Sequence, residues 1–74
     1  MSALPQISGR DAVKALGKLG YLEDRQTGSH IILRQTSDPF RRLTIPNHSE
    51  LAKGTLRAII RQAGLTVDEF KQLL

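Results

Sequence analysis

The sequence predicts an α+β fold in which helices cover one face of a three-stranded antiparallel sheet. Three observations carry that prediction. Apolar residues recur at helical spacing near both ends, the stretch between them switches to a two-residue period, and its breaks are too short for helical crossovers. The 74 residues are read as a single domain spanning 1–74. A chain this short buries only about 60% of the surface it exposes when unfolded, so its core should be thin.

The elements follow in order α-β-β-β-α(-α). Ser8, with Asp11 three residues on, has the form of a helix start: the hydroxyl caps early N–H groups and the acid suits the dipole. Ala12, Val13, Leu16 and Leu19 then keep helical spacing as far as Gly20, a natural stop. Arg10, Lys14 and Lys18 form a second stripe that is either solvated or available to an anion. Tyr21–Gln26 reads as a first strand, Thr27-Gly28 as a turn, and 29–35 as a second strand. Ser37-Asp38-Pro39 breaks the chain, 41–45 forms the third strand, and Pro46 ends it by withholding a ladder donor.

Alternation assigns the two faces of the sheet. Ile31, Leu33, Leu43 and Ile45 point under the helices, whereas His30, Ile32, Arg34, Arg42 and Thr44 form a wetter, basic face. A second helix over 54–63 buries Leu56, Ile59, Ile60 and Ala63 and stops at Gly64. It carries Lys53, Arg57 and Arg61 in line. Thr66 and Glu69 form a capping box for a short last helix with Phe70 and Leu73 inward. Tyr21, Phe40 and Phe70 are assigned to core and turn packing, with no base-stacking platform among them.

Composition narrows the function classes. Without cysteine, neither disulfides nor a thiolate zinc site brace the fold, and cysteine's absence fits a reducing cytosol. Met1-Ser2-Ala3-Leu4-Pro5 has no basic segment followed by an apolar run, and no apolar stretch approaches a membrane span, so a soluble cytoplasmic protein is expected. The net charge is +4, and the excess lies in 41–64, where Arg41, Arg42, Lys53, Arg57 and Arg61 face Glu50 alone. Such a patch attracts polyanions or merely solubilises the surface.

The choice of chemistry is narrow. His30 and His48 are the chain's histidines, and Glu23-Asp24 point to opposite faces of their strand, so no metal or cofactor is expected. No phosphate-cradling glycine loop or nucleophile grouping is evident from spacing. Histidine acid–base catalysis is what is left. His30 follows the Thr27-Gly28 turn, where Gly28 can take positive φ and leave room for a substrate backbone. Its imidazole shares a face with Arg34 and Arg42, a combination that suits RNA cleavage: a base takes the ribose 2′-OH proton, the oxygen attacks phosphorus, and an acid protonates the leaving 5′-oxygen. The competing reading is an ordinary polar residue on a strand surface.

Three stretches together resemble one family. Ser8-Gly9-Arg10-Asp11 through Leu19-Gly20-Tyr21, Thr27-Gly28-Ser29-His30-Ile31, and Ile45-Pro46-Asn47-His48 through Lys53-Gly54-Thr55-Leu56-Arg57 and Arg61-Gln62-Ala63-Gly64-Leu65 are similar to the HicA (YcfA-like) mRNA interferase toxins. Gly-Ser-His alone is weak; in this order and spacing the set is specific. The resemblance implies a double-stranded-RNA-binding-domain-like fold, translation-independent mRNA cleavage, and a catalytic role for His30, with Gly28 and Ser29 shaping the site. It also implies a HicB-like antitoxin that masks the active face. His48 reads as a second acid–base group or as a residue that orders its loop, the latter preferred. Lys53, Arg57 and Arg61, with Arg34 and Arg42, are the candidate RNA contacts, helped by the positive end of the second helix.

Two rivals stand beside this reading. A non-catalytic RNA-binding domain would keep the fold and the basic patch and read A-form shape. A DNA-binding helix-turn-helix over 54–74, with Gly64 in its turn, would set Asp68 and Glu69 against phosphates, which is electrostatically poor.

Overall fold

A computed structural model describes residues 3–74, with α1 (Gly9–Gly17), β1 (Tyr21–Gln26), β2 (His30–Gln35), β3 (Arg42–Pro46), α2 (Lys53–Gln62) and α3 (Val67–Lys71). Met1 and Ser2, part of the segment read for a secretory leader, lie outside the described residues. The strands pair antiparallel in the order β1-β2-β3. This is the α+β arrangement that the pattern predicts and the double-stranded-RNA-binding-domain-like fold that the resemblance implies. Among the described residues no helix is long and apolar enough to cross a membrane.

Local chemistry fixes the helix ends. Ser8 Oγ accepts from the Asp11 N–H at 3.0 Å while the Asp11 carboxylate accepts from the Ser8 N–H at 3.2 Å. Thr66 and Glu69 repeat the exchange at 3.1 and 2.8 Å. Each box satisfies amides that the helix cannot. Gly20 and Gly64 follow α1 and α2 with φ of 89° and 77°, a region costly for side-chain-bearing residues. At the second of these, Gly64 N–H donates to Arg61 O and Leu65 N–H to Ile60 O, which closes α2 with a Schellman pair.

Three local expectations are corrected. Leu19 is exposed rather than inward, because α1 ends at Gly17 and the helical period does not reach it. Helix α2 begins one residue earlier than expected, at Lys53. Pro46 lies inside β3 as its last residue, and the parity of the ladder explains why. Asn47 N–H donates to Ser29 O at 2.9 Å, so Pro46, one residue before, occupies a non-hydrogen-bonded position opposite His30. On this edge strand its missing donor would have pointed outward.

The core forms between the sheet's inner face and the helices. Phe70, Leu16, Ile31, Leu33, Ile45 and Leu56 are fully buried, with Tyr21 and Leu43 beside them. The Tyr21 hydroxyl is buried without a hydrogen-bond partner among the described residues. Gly9 lets α1 sit directly on the end of β3: a Cβ there would lie 2.0 Å from Pro46 O. Its N–H donates to His48 O at 2.9 Å, and Leu51 N–H donates to Ile7 O at 2.8 Å.

The pairing of β1 with β2 shifts between Glu23 and Arg25. This bulge has a use. Glu23 and Gln26, three residues apart, would face opposite sides of a regular strand. Here both meet Arg10 of α1, the ion pair to Glu23 measuring 2.9 Å. Asp24 instead pairs with Arg42 on the outer face at 3.4 Å. The stripe of Arg10, Lys14 and Lys18 is thus partly anchored to the sheet.

Candidate active site

The hairpin places His30 at the first position of β2, with its side chain exposed on the outer face. Backbone bonds hold it from both neighbours: Thr27 N–H donates to His30 O, and Asn47 N–H to Ser29 O, each at 2.9 Å. The turn needs no left-handed residue, so the expected positive φ at Gly28 is corrected. The expected room is present, since a Cβ on Gly28 would meet nothing within 4 Å. Ser29 Oγ lies 3.0 Å from His30 Nδ1. That contact fixes one ring nitrogen and leaves Nε2 as the one available for proton transfer.

The outer face is not uniformly open. Helix α2 stands beside β3, and a groove of about 420 Å³ runs between them. His30, Thr44 and Pro46 form one wall; Gly54, Thr55, Ala58 and Gln62 form the other. Local spacing alone does not place Thr55 and Gln62 near His30, because the meeting is tertiary. One sequence signal was nonetheless there. Thr55, Ala58 and Gln62 recur at helical spacing on the side of α2 that is neither apolar nor basic. No side chain caps the helix at Ala52, so its first amides remain donors beside this groove.

The cations are arranged differently from the sequence expectation. Arg34 and Arg42 share the outer face with His30, yet Arg34 is four residues along β2, roughly 13 Å at the rise of a strand. They are not beside the imidazole. Lys53, Arg57 and Arg61 are exposed but lie roughly 120° round α2 from the side that lines the groove. The fifth cation of the patch, Arg41, turns the other way: its guanidinium rests against Gly64 at the carbonyl end of α2, where a positive charge suits the dipole.

His48 lies in the loop after β3, exposed, where its carbonyl accepts from Gly9, and it does not line the groove. Phe40 corrects the expectation of turn packing: the residue is 61% exposed. Tyr21 and Phe70 are core residues, as expected. Among the described residues no three of His, Asp or Glu come together as a metal-holding group. Helix α3 has five residues with Phe70 buried, short for a helix that must fill a DNA groove.

Residues 9–65 fit a family model described as the HicA toxin of bacterial toxin-antitoxin systems. No curated protein matches the chain.

Proposed function

Since this chain belongs to the HicA family of bacterial toxin–antitoxin toxins, we propose that it is a metal-independent endoribonuclease that cleaves mRNA in the cytoplasm, acting as a single domain. The observation that carries the reading is the exposed His30 imidazole in the groove beside α2, its Nδ1 engaged by Ser29 and its Nε2 available to substrate. Nε2 exchanges a proton with the ribose 2′-OH or with the leaving 5′-oxygen. The 2′-oxygen forms a bond to phosphorus as the bond to the 5′-oxygen breaks. One end then carries a 2′,3′-cyclic phosphate and the other a 5′-hydroxyl.

No Lys or Arg lines the groove, so the charge gathering on phosphorus is met by other donors. The uncapped amides at Gly54 and Thr55, with the positive end of α2 behind them, line the groove and supply such donors, together with the side chains of Thr55 and Gln62. Arg34, Arg42, Lys53, Arg57 and Arg61 then hold phosphates that flank the scissile one. His48 orders the loop between β3 and α2 through its carbonyl, with a proton-transfer role as the alternative. Gly28 keeps the approach to the groove clear. Family membership implies an antitoxin partner. A HicB-like antitoxin that covers the His30 face would inhibit by excluding RNA.

The test is incubation of the purified protein with structured RNA in EDTA, wild type beside His30→Ala. Wild type should yield cyclic-phosphate ends and the variant none, with RNA affinity retained. Equal cleavage by the variant would remove His30 from the mechanism.

A further inference from the structure

We propose that the hollow formed by Arg34, Thr36 and Phe40 is a nucleobase subsite, which takes one unpaired nucleotide of the RNA a few positions from the phosphodiester at His30. The proposal rests on the ribonuclease reading for its substrate, and on separate residues for its geometry.

Three observations converge there. Phe40 holds its ring in water, 61% exposed, on a backbone with φ of 58°. A bulky residue rarely adopts that left-handed conformation, and it persists only where the surroundings impose it. Arg34 lines the same hollow, which measures about 280 Å³, and has no ion-pair partner among the described residues. The Thr36 hydroxyl is committed to Gly20 O at 3.0 Å, and Gln35, which also lines the hollow, has its Oε1 engaged by the Arg41 N–H at 3.2 Å, so the guanidinium is the charged donor at hand. Thirdly, Arg34 stands directly opposite Arg42. Parity makes theirs a non-hydrogen-bonded pair, with Cα atoms only about 4.5 Å apart. Like charges so placed destabilise a sheet unless an anion joins them. Asp24 offsets Arg42 at 3.4 Å and leaves Arg34 uncompensated.

An aromatic face and a guanidinium in one hollow match the chemistry of a nucleotide: the base stacks on Phe40 and the phosphate is held by Arg34, whose cross-strand neighbour Arg42 adds positive charge. The spacing fits as well. Roughly 13 Å of β2 separates His30 from Arg34, which at about 3.4 Å per stacked nucleotide is at most about four nucleotides, and fewer if the strand is stretched. An A-form duplex keeps its bases inside the stack, so a base on Phe40 must be splayed from single-stranded RNA. The scaffold that resembles a duplex-binding domain therefore engages an unpaired strand at this end of its sheet.

The chain contains no tryptophan, so Phe40→Trp creates a single fluorescent reporter. The probes are 2′-O-methylated oligoribonucleotides, which lack the internal nucleophile and are not cut: a dinucleotide, a longer single strand, and the same strand in a duplex. The longer single strand should quench the reporter at lower concentration than the dinucleotide, which can occupy only one of the two sites at a time, and the duplex should not quench it. Phe40→Ala should weaken binding of the longer strand roughly 5- to 150-fold, the range for losing one stacked base. Wild-type affinity in Phe40→Ala overturns the proposal, as does equal quenching by the duplex. Loss of antitoxin binding with RNA affinity intact also overturns it, and assigns the ring to a protein interface. Failure of the wild type to cut ordinary RNA would sink the nuclease reading alone, since the quench does not depend on cleavage.

Discussion

Gly9→Ala is the substitution whose cost follows most directly from the structure. The new Cβ would lie 2.0 Å from Pro46 O, 3.1 Å from Pro46 C and 3.3 Å from Asn47 Cα, all backbone atoms that cannot swing aside. Reaching an ordinary contact of about 3.5 Å requires α1 and the end of β3 to separate by about 1.5 Å. That movement breaks the 2.9 Å bond from Gly9 N–H to His48 O, a loss of about 0.5–1.5 kcal/mol. Overpacking adds about 1–3 kcal/mol. The gain in helix propensity opposes both, by at most about 1 kcal/mol. Sterics win, and the net loss is about 2–3 kcal/mol. A domain of this length has roughly 4–11 kcal/mol in all. With about 4–8 °C per kcal/mol, the melting temperature should fall by roughly 8–24 °C, read by circular dichroism alongside urea titration. Gly17→Ala is the control. It lies in the same helix with nothing within 4 Å of its would-be Cβ, and should stabilise by about 0.5–1 kcal/mol. If Gly9→Ala melts at or above the wild type, the close approach of α1 to Pro46 is wrong.

Other substitutions probe the core and the site. Tyr21→Phe removes a buried hydroxyl with no partner among the described residues, so stability should be unchanged or rise by about 1–3 kcal/mol in urea titration; a loss would show that the hydroxyl is bonded. Ser29→Ala frees His30 Nδ1 and should lower kcat roughly 2- to 10-fold, with KM and melting temperature unchanged. An unaltered kcat would mean that Ser29 does not position the ring. Arg57→Ala and Arg61→Ala should each weaken RNA binding and lower the slope of log affinity against log salt by about 0.7, while kcat at saturating RNA holds. Titrations at several salt concentrations decide this, and an unchanged slope removes that residue from the interface.

What the sequence made legible was what short-range physics decides. The caps at Ser8 and Thr66 lie three residues from their acids, and the alternation through β2 and β3 sorted Ile31, Leu33, Leu43 and Ile45 from His30, Arg34, Arg42 and Thr44. Contacts between distant elements left no such mark. The groove exists because α2 stands beside β3, which joins His30 to Thr55 and Gln62 across more than twenty intervening residues. The bulge in β1 is set by which side chains find partners, Glu23 and Gln26 on α1 and Asp24 on β3, and nothing in Glu23-Asp24-Arg25 announces it. Exposure of Phe40 follows from a backbone angle that residue type alone argues against.

The link between β3 and α2 has neither helix nor strand, yet three backbone hydrogen bonds rivet it: Asn47 N–H to Ser29 O, Gly9 N–H to His48 O, and Leu51 N–H to Ile7 O. Its conformational freedom is surrendered when the chain folds, before any RNA arrives. The segment joins the two walls of the groove, so docking a strand there carries no further ordering penalty for it. Heating should leave the cleft intact until the entire domain lets go, so that catalysis and tertiary structure vanish over the same few degrees.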